Sequence, residues 1–382
     1  MVSQHQTLPL FYTIRRRRVL LSSLVFIVTL FYYMNQLRLD NVYPCYTDSG
    51  NVIEGPLRLE DVLLSDKKPI PGRTIFFHET KCHPPDIVNF TARQACAIES
   101  AALHNPNFQV FVLFSSPTFL PGDKRYPILE AITSYKNVEL RQLNIWRYAE
   151  DTPILKWLKK GDIFQSKYIV RNIFITFLIS LSTMLLPHRY LTEHTSDMLR
   201  LMTLYRFGGI YMDLDVVVLR SMEYLPLNYV GALDNHTIGN GVIGLQHMGK
   251  GHEIAELLLT DLTKHYNGDA YVSNGPTLIS RVVRQICGTN SIPQMLEDPK
   301  YCKGFKVFDA SVFYAINSMY WRNFFDPNKT EEVMDQIKGS YLTHVWNRAS
   351  FSRLFKTDTQ NAYGKYASQH CPKTFAAAGE YF

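Results

Sequence analysis

One segment constrains the fold of this chain more than any other, because it is apolar throughout except for two acids. Residues Ile210 to Leu219 have the sequence IYMDLDVVVL, with Asp213 and Asp215 two positions apart. The β-branched run predicts a buried strand, and residues two apart along a strand point to the same side of a sheet. Burying carboxylates without partners costs several kcal/mol. We therefore expect the two acids to share a positively charged partner at the end of this strand.

Strand and helix patterns alternate around this segment. An apolar strand at Thr74 to Phe77 precedes a helical pattern from Ile87 to His104, and further strands are predicted at Phe108 to Phe114 and at Val138 to Leu143. Beyond the two acids, the pattern predicts strands at 229–233 and 242–245 and helices at 253–266 and 276–286. This alternation predicts an α/β fold with a mostly parallel sheet flanked by helices.

The two acids have the chemistry of a site for a hard divalent cation. A cation held by Asp213 and Asp215 could bind a diphosphate on its other side, because Mg²⁺ and Mn²⁺ prefer oxygen ligands. An exposed turn is the alternative for so short a motif, but the apolar surroundings favour a site. His344 is a candidate third ligand, with a structural histidine as the alternative, and Trp346 and Asn347 follow it closely enough to close over a diphosphate.

A second pair of polar residues lies on the preceding helix. The pattern from Thr195 to Tyr205 predicts a helix that Thr195 caps and that ends before Gly208. Asp197 and Arg200 are one turn apart on it, so both would project from one face near the helix N-terminus, where anionic or hydroxyl-rich ligands bind. By spacing alone, a surface ion pair is the stronger explanation of this pair.

The segment Gly239 to Gly244 matches the G-x-G-x-x-G fingerprint of dinucleotide sites, and Asp261 follows it at about the expected distance of twenty residues. Its context argues against that function, because the glycines run into a strand-like segment and do not open a helix. We interpret the segment as a tight turn that presents Asn240 to a ligand.

An uncharged apolar segment near the N-terminus predicts a membrane anchor. Val19 to Met34 approaches the ~17 residues that a helix needs to cross a thin bilayer, and Arg15 to Arg18 precede it. The arginines predict type II topology, with the N-terminus in the cytosol. A cleaved signal peptide is the alternative, although no small-residue cleavage site follows. Because those arginines supply much of the modest net charge of +6, a nucleic-acid partner is not implied.

Cysteines and glycosylation sequons agree with an oxidising compartment. The six cysteines contain no C-x-x-C pair, so disulfides are favoured over a zinc site. Fifteen pairings are possible; Cys82 with Cys96 and Cys287 with Cys302 would close short loops. The sequon asparagines, which are predicted glycosylation sites, are Asn89, Asn235 and Asn328.

Several of these motifs together resemble one enzyme family. Thr195-Ser-Asp-x-x-Arg200, followed by Phe207-Gly-Gly-Ile-Tyr-x-Asp-x-Asp215, is similar to the DXD region of the α1,4-glycosyltransferases. Further matches are His265-Tyr-Asn-Gly268, Asn274-Gly-Pro-x-Leu278, Tyr341-x-x-His-Val-Trp-Asn347 and His370-Cys-Pro372.

The resemblance implies a GT-A fold, which is a Rossmann-like nucleotide-sugar-binding fold. It also implies a retaining, Mn²⁺-dependent (or Mg²⁺-dependent) transfer from a UDP-sugar to a glycolipid acceptor in the Golgi. Asp213, Asp215 and His344 would then bind the metal, and Asn274 would lie beneath the reacting carbon. The donor-binding residues that the resemblance implies are Asp197, Arg200, Tyr211, Asn240, Gly275, Trp346 and Asn347. We expect UDP-Gal or UDP-GalNAc, with UDP-GlcNAc as the third possibility.

The family spacing also divides the chain into segments. We predict a cytoplasmic tail at 1–18, a transmembrane anchor at 19–34, a lumenal stalk at 35–72 and a catalytic domain at 73–382. An apolar insert at 167–189 departs from the family pattern. A hydrophobic lid, an inert insertion and retained intron sequence are three explanations, of which we favour the last. A non-catalytic glycan-binding protein on the same fold is the alternative function.

Overall fold

The computed structural model describes residues 17–30, 33, 57–81, 86–122, 125–161, 163, 190–297 and 301–382. The insert predicted at 167–189 and two of the six cysteines, Cys45 and Cys82, lie outside the described residues.

Residues 17–30 are helical, and their apolar side chains, among them Val19, Leu20 and Phe26, are exposed. Within the described part of the chain, no helix combines the length and the apolar character needed to cross a bilayer. The anchor at 19–34 therefore stays a prediction.

The centre of the structure is a seven-stranded sheet with the strand order β10-β8-β9-β6-β1-β3-β5. Strands β6, β1, β3 and β5 are parallel, β10 is parallel to β8, and β9 is antiparallel to both of its neighbours. The predicted mixed, mostly parallel sheet is therefore confirmed. The strands are β1 Thr74–Glu79, β2 Asp86–Ile87, β3 Gln109–Phe114, β4 Thr118–Phe119, β5 Val138–Gln142, β6 Gly209–Met212, β7 Val216–Val218, β8 Tyr229–Ala232, β9 Ile238–Leu245, β10 Lys306–Phe308 and β11 Leu342–His344.

Helices cover both faces of this sheet. The helices are α1 Ala92–His104, α2 Pro127–Thr133, α3 Ile145–Ala149, α4 Leu155–Lys159, α5 Leu191–Phe207, α6 Lys250–His265, α7 Pro276–Cys287, α8 Ile292–Glu297, α9 Ala310–Phe313, α10 Thr330–Ile337, α11 Asn347–Ser350, α12 Ala362–His370 and α13 Pro372–Ala377, with 3₁₀ segments at Ser318–Phe325 and Pro327–Lys329. Successive residues of β1 face opposite layers: Phe76 packs in the cluster with α5, α6 and α7, whereas Ile75 and Phe77 pack in the cluster with α1. Burial on both faces explains why these strands are almost wholly apolar.

Three predictions of local structure are wrong, each for a different physical reason. α1 begins at Ala92, five residues after the predicted start, where Thr91 and Gln94 form a reciprocal capping box. α5 begins at Leu191, so Thr195 lies inside the helix and does not cap it. The segment predicted as a tight turn around Asn240 is part of β9, because its backbone pairs with β6 and β8.

Residues 57–72, which we assigned to the stalk, belong to the folded domain. The backbone N–H groups of Leu59 and Val62 donate to Thr118 and Gln142 at 2.9 and 2.8 Å, and Val62 is fully buried. The turn-forming composition suggested a stalk, but these backbone bonds continue the edge of the sheet. The boundary predicted at residue 72 is therefore too late in the chain.

Two interactions fasten the C-terminal helices to α1. Cys96 forms a disulfide with Cys371, so the predicted pair of Cys96 with Cys82 is wrong. Spacing along the chain gave no sign of this pair, because tertiary packing brings the two cysteines together. Buried Glu99, one turn after Cys96, accepts backbone N–H bonds from Lys373 at 3.0 Å and Thr374 at 2.7 Å, and so caps α13. The other predicted pair, Cys287 with Cys302, is present.

We expect Glu99→Gln to destabilise the protein by about 2–3 kcal/mol, because an amide NH₂ would face a backbone N–H that Glu99 now accepts from, and two donors would oppose each other. The free energy of unfolding in urea measures this change. Glu331→Gln is the matched control: its side chain is 88% exposed, and Lys365 is its one ion-pair partner among the described residues, so we expect a change within about 0.5 kcal/mol. Equal stability of the two variants would contradict the capping role of Glu99.

Candidate functional site

The two acids stand where the main sheet ends and a small two-stranded sheet begins. β6 ends at Met212 and β7 begins at Val216, so Asp213 and Asp215 lie in a turn. The single strand predicted over this region is therefore wrong. The turn is fixed against β9 because the Asp213 N–H donates to the carbonyl of Gly241 at 2.9 Å.

His344 meets the two acids from the other strand of the small sheet. β11 pairs antiparallel with β7, which places His344 opposite Val216. Its Nε2 lies 3.0 Å from Oδ1 of Asp215 and 3.6 Å from Oδ2 of Asp213. One ligand atom from each of the three residues lies within 4.8 Å of the others. The structure thus brings together residues that are more than a hundred positions apart in the chain.

This group has the donors and the space that a divalent cation requires. Two carboxylate oxygens and one imidazole nitrogen suit Mn²⁺, and Mg²⁺ accepts the oxygens. Gly241 borders the group, and a Cβ at that position would lie 2.8 Å from Oδ2 of Asp213 and 3.3 Å from Nε2 of His344. Any larger residue would therefore crowd the ligand atoms. The residues present fit a divalent cation.

Arg200 connects the acids to the preceding helix. Its guanidinium donates to Oδ1 of Asp213 at 3.0 Å, to the carbonyl of Asn240 at 2.7 Å and to Oγ of Ser196 at 2.9 Å. The same group lies over the ring of Tyr211, 4.5 Å from its centroid, while the Tyr211 hydroxyl donates to Asp213 at 2.7 Å. Because the side chain is buried with so many partners, the alternative of a surface ion pair is wrong.

Asp197 lies beside this cation on the same helix. Its Oδ1 is 3.2 Å from Nη2 of Arg200 and accepts a hydrogen bond from Nδ2 of Asn240 at 2.8 Å. A Cβ on Gly275 would lie 2.4 Å from Nδ2 of Asn240 and 2.8 Å from Oδ1 of Asp197. Asp197 and Arg200 of α5, Asn240 of β9 and Gly275 thus form one compact polar surface next to the metal-binding group.

The protonation of the site follows from its burial and its charges. Burial alone would raise the pKa of Asp213, but Arg200 and His344 hold it well below its ordinary value. Burial would lower the pKa of His344, but Asp215 and Asp213 raise it to about 9. Burial raises the pKa of Asp197 to about 7, although Arg200 opposes the shift. Without a metal, a proton on His344 balances part of the negative charge.

The segment after His344 is also drawn into the site. The Asn347 N–H donates to Oδ2 of Asp215 at 2.9 Å, and the buried Oδ1 of Asn347 has no hydrogen-bond partner among the described residues. Trp346 has the left-handed φ of 57°, its ring lies 4.3 Å from that of His344, and its indole N–H donates to the carbonyl of Ile316 at 2.8 Å. This strained backbone, unusual for a bulky residue, turns Asn347 toward the acids.

Asn274 is placed differently from the prediction. Its side-chain Oδ1 accepts from the backbone N–H of Asn267 at 2.9 Å, and its Nδ2 donates to the carbonyl of Asn267 at 2.8 Å. Both ends of the amide therefore hold a loop closed, and the role beneath a reacting carbon is not supported by these contacts. The neighbouring Gly275 is the part of this motif that borders the site.

Two groups near the site had no signal strong enough to be selected from the sequence. His78, near the end of β1, is buried; its Nε2 lies 3.0 Å from the Thr203 hydroxyl, and its Nδ1 has no partner among the described residues. Burial, aided by the Arg200 charge, lowers the pKa of His78 to about 3, so this imidazole is neutral. The second group is Arg348, whose guanidinium carbon lies over the Tyr271 ring, 3.7 Å from its centroid. The predicted first strand ends one residue before His78, so no pattern in the sequence indicates that this side chain is buried at the end of β1.

Two family models match adjoining parts of the chain. Residues 91–234 match the glycosyltransferase sugar-binding region containing the DXD motif, and residues 247–378 match the alpha 1,4-glycosyltransferase conserved region. The lactosylceramide 4-alpha-galactosyltransferase of Rattus norvegicus is 28% identical over 318 residues, which cover 81% of this chain and 77% of the relative. The human alpha-1,4-N-acetylglucosaminyltransferase is 27% identical over 314 residues, which cover 79% of this chain and 80% of the relative.

Solved glycosyltransferase structures align over much of the chain with low scores. PaToxG glycosyltransferase has a TM-score of 0.37 at 13% identity, covering 93% of this chain and 95% of its own. Galactosyltransferase LgtC in complex with donor and acceptor sugar analogs has a TM-score of 0.32 at 13% identity, covering 78% and 95%. Such values are too low to support any inference about this chain.

We expect Asp215→Asn to weaken Mn²⁺ binding by about 100-fold or more, because the change removes a charged ligand from a buried group. Titration of the protein with Mn²⁺, followed by electron paramagnetic resonance of the free ion, measures the affinity. Asp234→Asn is the control, since Asp234 is exposed and caps only its own turn. Equal affinities of the two variants would contradict a metal site at Asp215.

Metal binding should release about one proton at pH 7, because the cation displaces the proton that His344 holds below its pKa of about 9. Affinity should therefore rise with pH, by about tenfold per unit, and level off near pH 9. Calorimetric titrations in buffers of different ionisation enthalpy count the released protons. His344→Gln should bind more weakly and release almost none; an unchanged proton count in that variant would show that another group carries the proton.

Proposed function

Because the chain belongs to the α1,4-glycosyltransferase family, we propose that it is a retaining, metal-dependent enzyme with a UDP-sugar donor. It would transfer Gal or GalNAc in α1,4 linkage to a glycolipid such as lactosylceramide, with GlcNAc as the third possible sugar. The observation that carries this proposal is the group of Asp213, Asp215 and His344, next to the buried pair of Arg200 and Asp197. A cation and a set of polar sugar contacts can be held side by side at this edge of the sheet.

Each part of the site has a task in this reaction. When bound, Mn²⁺ or Mg²⁺ would neutralise negative charge on the diphosphate as its bond to the sugar breaks. The Asp197 carboxylate can accept hydrogen bonds from sugar hydroxyls, and Arg200 and Asn240 hold it in position for them. The unpartnered Oδ1 of Asn347 provides one more acceptor beside the acids. Tyr211 fixes the rotamer of Asp213 through its hydroxyl.

The carboxylates of the site favour attack and departure on the same face of the sugar. Asp197 is bound to Arg200 and Asn240, while Asp213 and Asp215 meet at the metal position. No described carboxylate of this group is left over as a nucleophile. The departing phosphate oxygen would then take the proton of the acceptor hydroxyl. A covalent sugar adduct on any side chain, detected by mass spectrometry after reaction with donor alone, would overturn this mechanism.

We further propose a GT-A domain in the Golgi lumen, held by a type II anchor at 19–34. The disulfides Cys96–Cys371 and Cys287–Cys302 support an oxidising compartment. The sequon residues Asn89, Asn235 and Asn328 are all exposed, as glycosylation requires. Exposed apolar side chains along residues 17–30 support burial of that helix in lipid.

A non-catalytic glycan-binding protein on the same fold is the alternative function. The charged groups of the site argue against it, because a lectin needs no group of two acids and a histidine against a buried arginine. Binding of glycans without any metal, together with failure to use a nucleotide sugar, would favour this alternative.

The decisive experiment offers the full chain, in detergent, each UDP-sugar with lactosylceramide and Mn²⁺. We expect transfer from one donor, an α1,4 product linkage by NMR, and complete loss of transfer on chelation. Asp215→Asn should reduce the rate at least about 100-fold, while Asp234→Asn should keep it. Transfer that persists in chelator, or equal rates of the two variants, would contradict the proposal.

A further inference from the structure

The loop that follows the metal-ligand candidate exposes a mixture of basic and apolar side chains. This basic–apolar loop, residues 348–356, consists of the last three residues of α11 and the chain that follows them. Its sequence is RASFSRLFK, which contains no acid. Phe351 is 75% exposed and Leu354 is 63% exposed. The Arg348 and Lys356 side chains are about half exposed, and Arg353 is exposed as well. The loop begins four residues after His344.

This exposure is imposed by buried contacts on either side. The Arg93 guanidinium, which is buried, donates to the carbonyl of Ser350 at 2.8 Å and to the carbonyl of Arg353. Phe355 is buried and exchanges backbone hydrogen bonds with Phe382. With both of its ends held, the loop cannot turn Phe351 or Leu354 into the core. Two large apolar side chains are thus fixed in contact with solvent, which is unfavourable unless another surface covers them.

The neighbouring 3₁₀ segment Ser318–Phe325 continues this character. It packs against α11. Met319 in this segment is 74% exposed and Tyr320 is 59% exposed. In the same segment the Arg322 guanidinium lies over the Trp321 ring, 4.6 Å from its centroid. Aromatic rings, aliphatic side chains and basic groups side by side are the composition that settles in the headgroup layer of a bilayer.

The charges indicate which surface covers the loop. Arg348 pairs with Glu193 and Lys356 with Glu380, but Arg353 makes no ion pair among the described residues. Basic side chains between apolar ones suit the phosphate groups of lipid headgroups, where each adds attraction to the apolar contact. Another protein of ordinary surface would need a matching acidic and apolar patch. A phospholipid bilayer supplies both partners at once, with phosphates in its headgroup layer and acyl chains beneath them.

We propose that the basic–apolar loop inserts into the surface of a phospholipid bilayer and holds the site against the headgroup layer. This inference rests on the proposed function for its consequence: the sugars of a membrane-embedded glycolipid would then reach the site, while the lipid tails stay in the bilayer. The loop acts on access of the acceptor and takes no part in the chemical step.

Cross-linking tests the contact without relying on activity. The full chain, with p-azidophenylalanine replacing Phe351, is reconstituted in vesicles of phosphatidylcholine and irradiated. We expect phospholipid adducts at this position by mass spectrometry. The matched control places the same group at Leu227, which is 66% exposed and precedes β8 at the sheet edge opposite Asp213. Adducts to protein at position 351, no adducts there, or equal lipid adducts at both positions would overturn the proposal.

Enzyme kinetics test whether the loop controls the access of a membrane-embedded acceptor to the site. We expect the double variant Phe351→Ser, Leu354→Ser to lose about tenfold in kcat/KM for lactosylceramide in the same vesicles, through KM, and to keep its rate with free lactose. The control Leu227→Ser, Met248→Ser should keep both rates. An equal loss on both acceptors would overturn the proposed role. Absence of sugar transfer by every form would refute the proposed function, while the cross-linking result still decides on the bilayer contact.

Discussion

The buried guanidinium of Arg200 is the contact on which the arrangement of the site depends. Asp197, Asp213 and Asp215 are brought within one small volume, and their mutual repulsion in a region of low dielectric would otherwise oppose folding. Arg200 lies between Asp197 and Asp213 and is held in turn by Ser196 and the carbonyl of Asn240. One positive charge, fixed on a helix, therefore orients acids that come from two different elements.

The topology explains why these elements meet. The carboxyl ends of parallel strands lie along one edge of the sheet, and β6 ends there directly before Asp213. β9 runs antiparallel beside it and supplies Asn240 and Gly241, while the small sheet adds His344. The C-terminal region stays in place because the Cys96–Cys371 disulfide and the cap from Glu99 tie it to α1. A histidine far along the chain can thus serve a site built mainly around residue 213.

Much of this arrangement could be predicted from the sequence, and what could not has a physical cause. Apolar strands, the turn signal at Gly208 and the two isolated acids are local patterns, so they predict the main strands and a site at Asp213 and Asp215. The grouping of His344 with these acids depends on the family resemblance, because nothing local distinguishes it from a structural histidine. The partner of Cys96 was missed because tertiary packing alone determines it. The predicted N-cap at Thr195 is wrong because the helix continues through it. His78 is missed because the predicted strand ends one residue before it, whereas β1 continues to Glu79.

The most direct test of the central claim is the position of the cation. A crystal of the protein grown with Mn²⁺ and UDP, measured near the manganese absorption edge, locates the ion by its anomalous scattering. We expect one strong peak bounded by a carboxylate oxygen of Asp213, one of Asp215 and Nε2 of His344, with metal–oxygen distances of about 2.0–2.4 Å. A peak elsewhere, or none at this group in crystals that bind UDP, would contradict it.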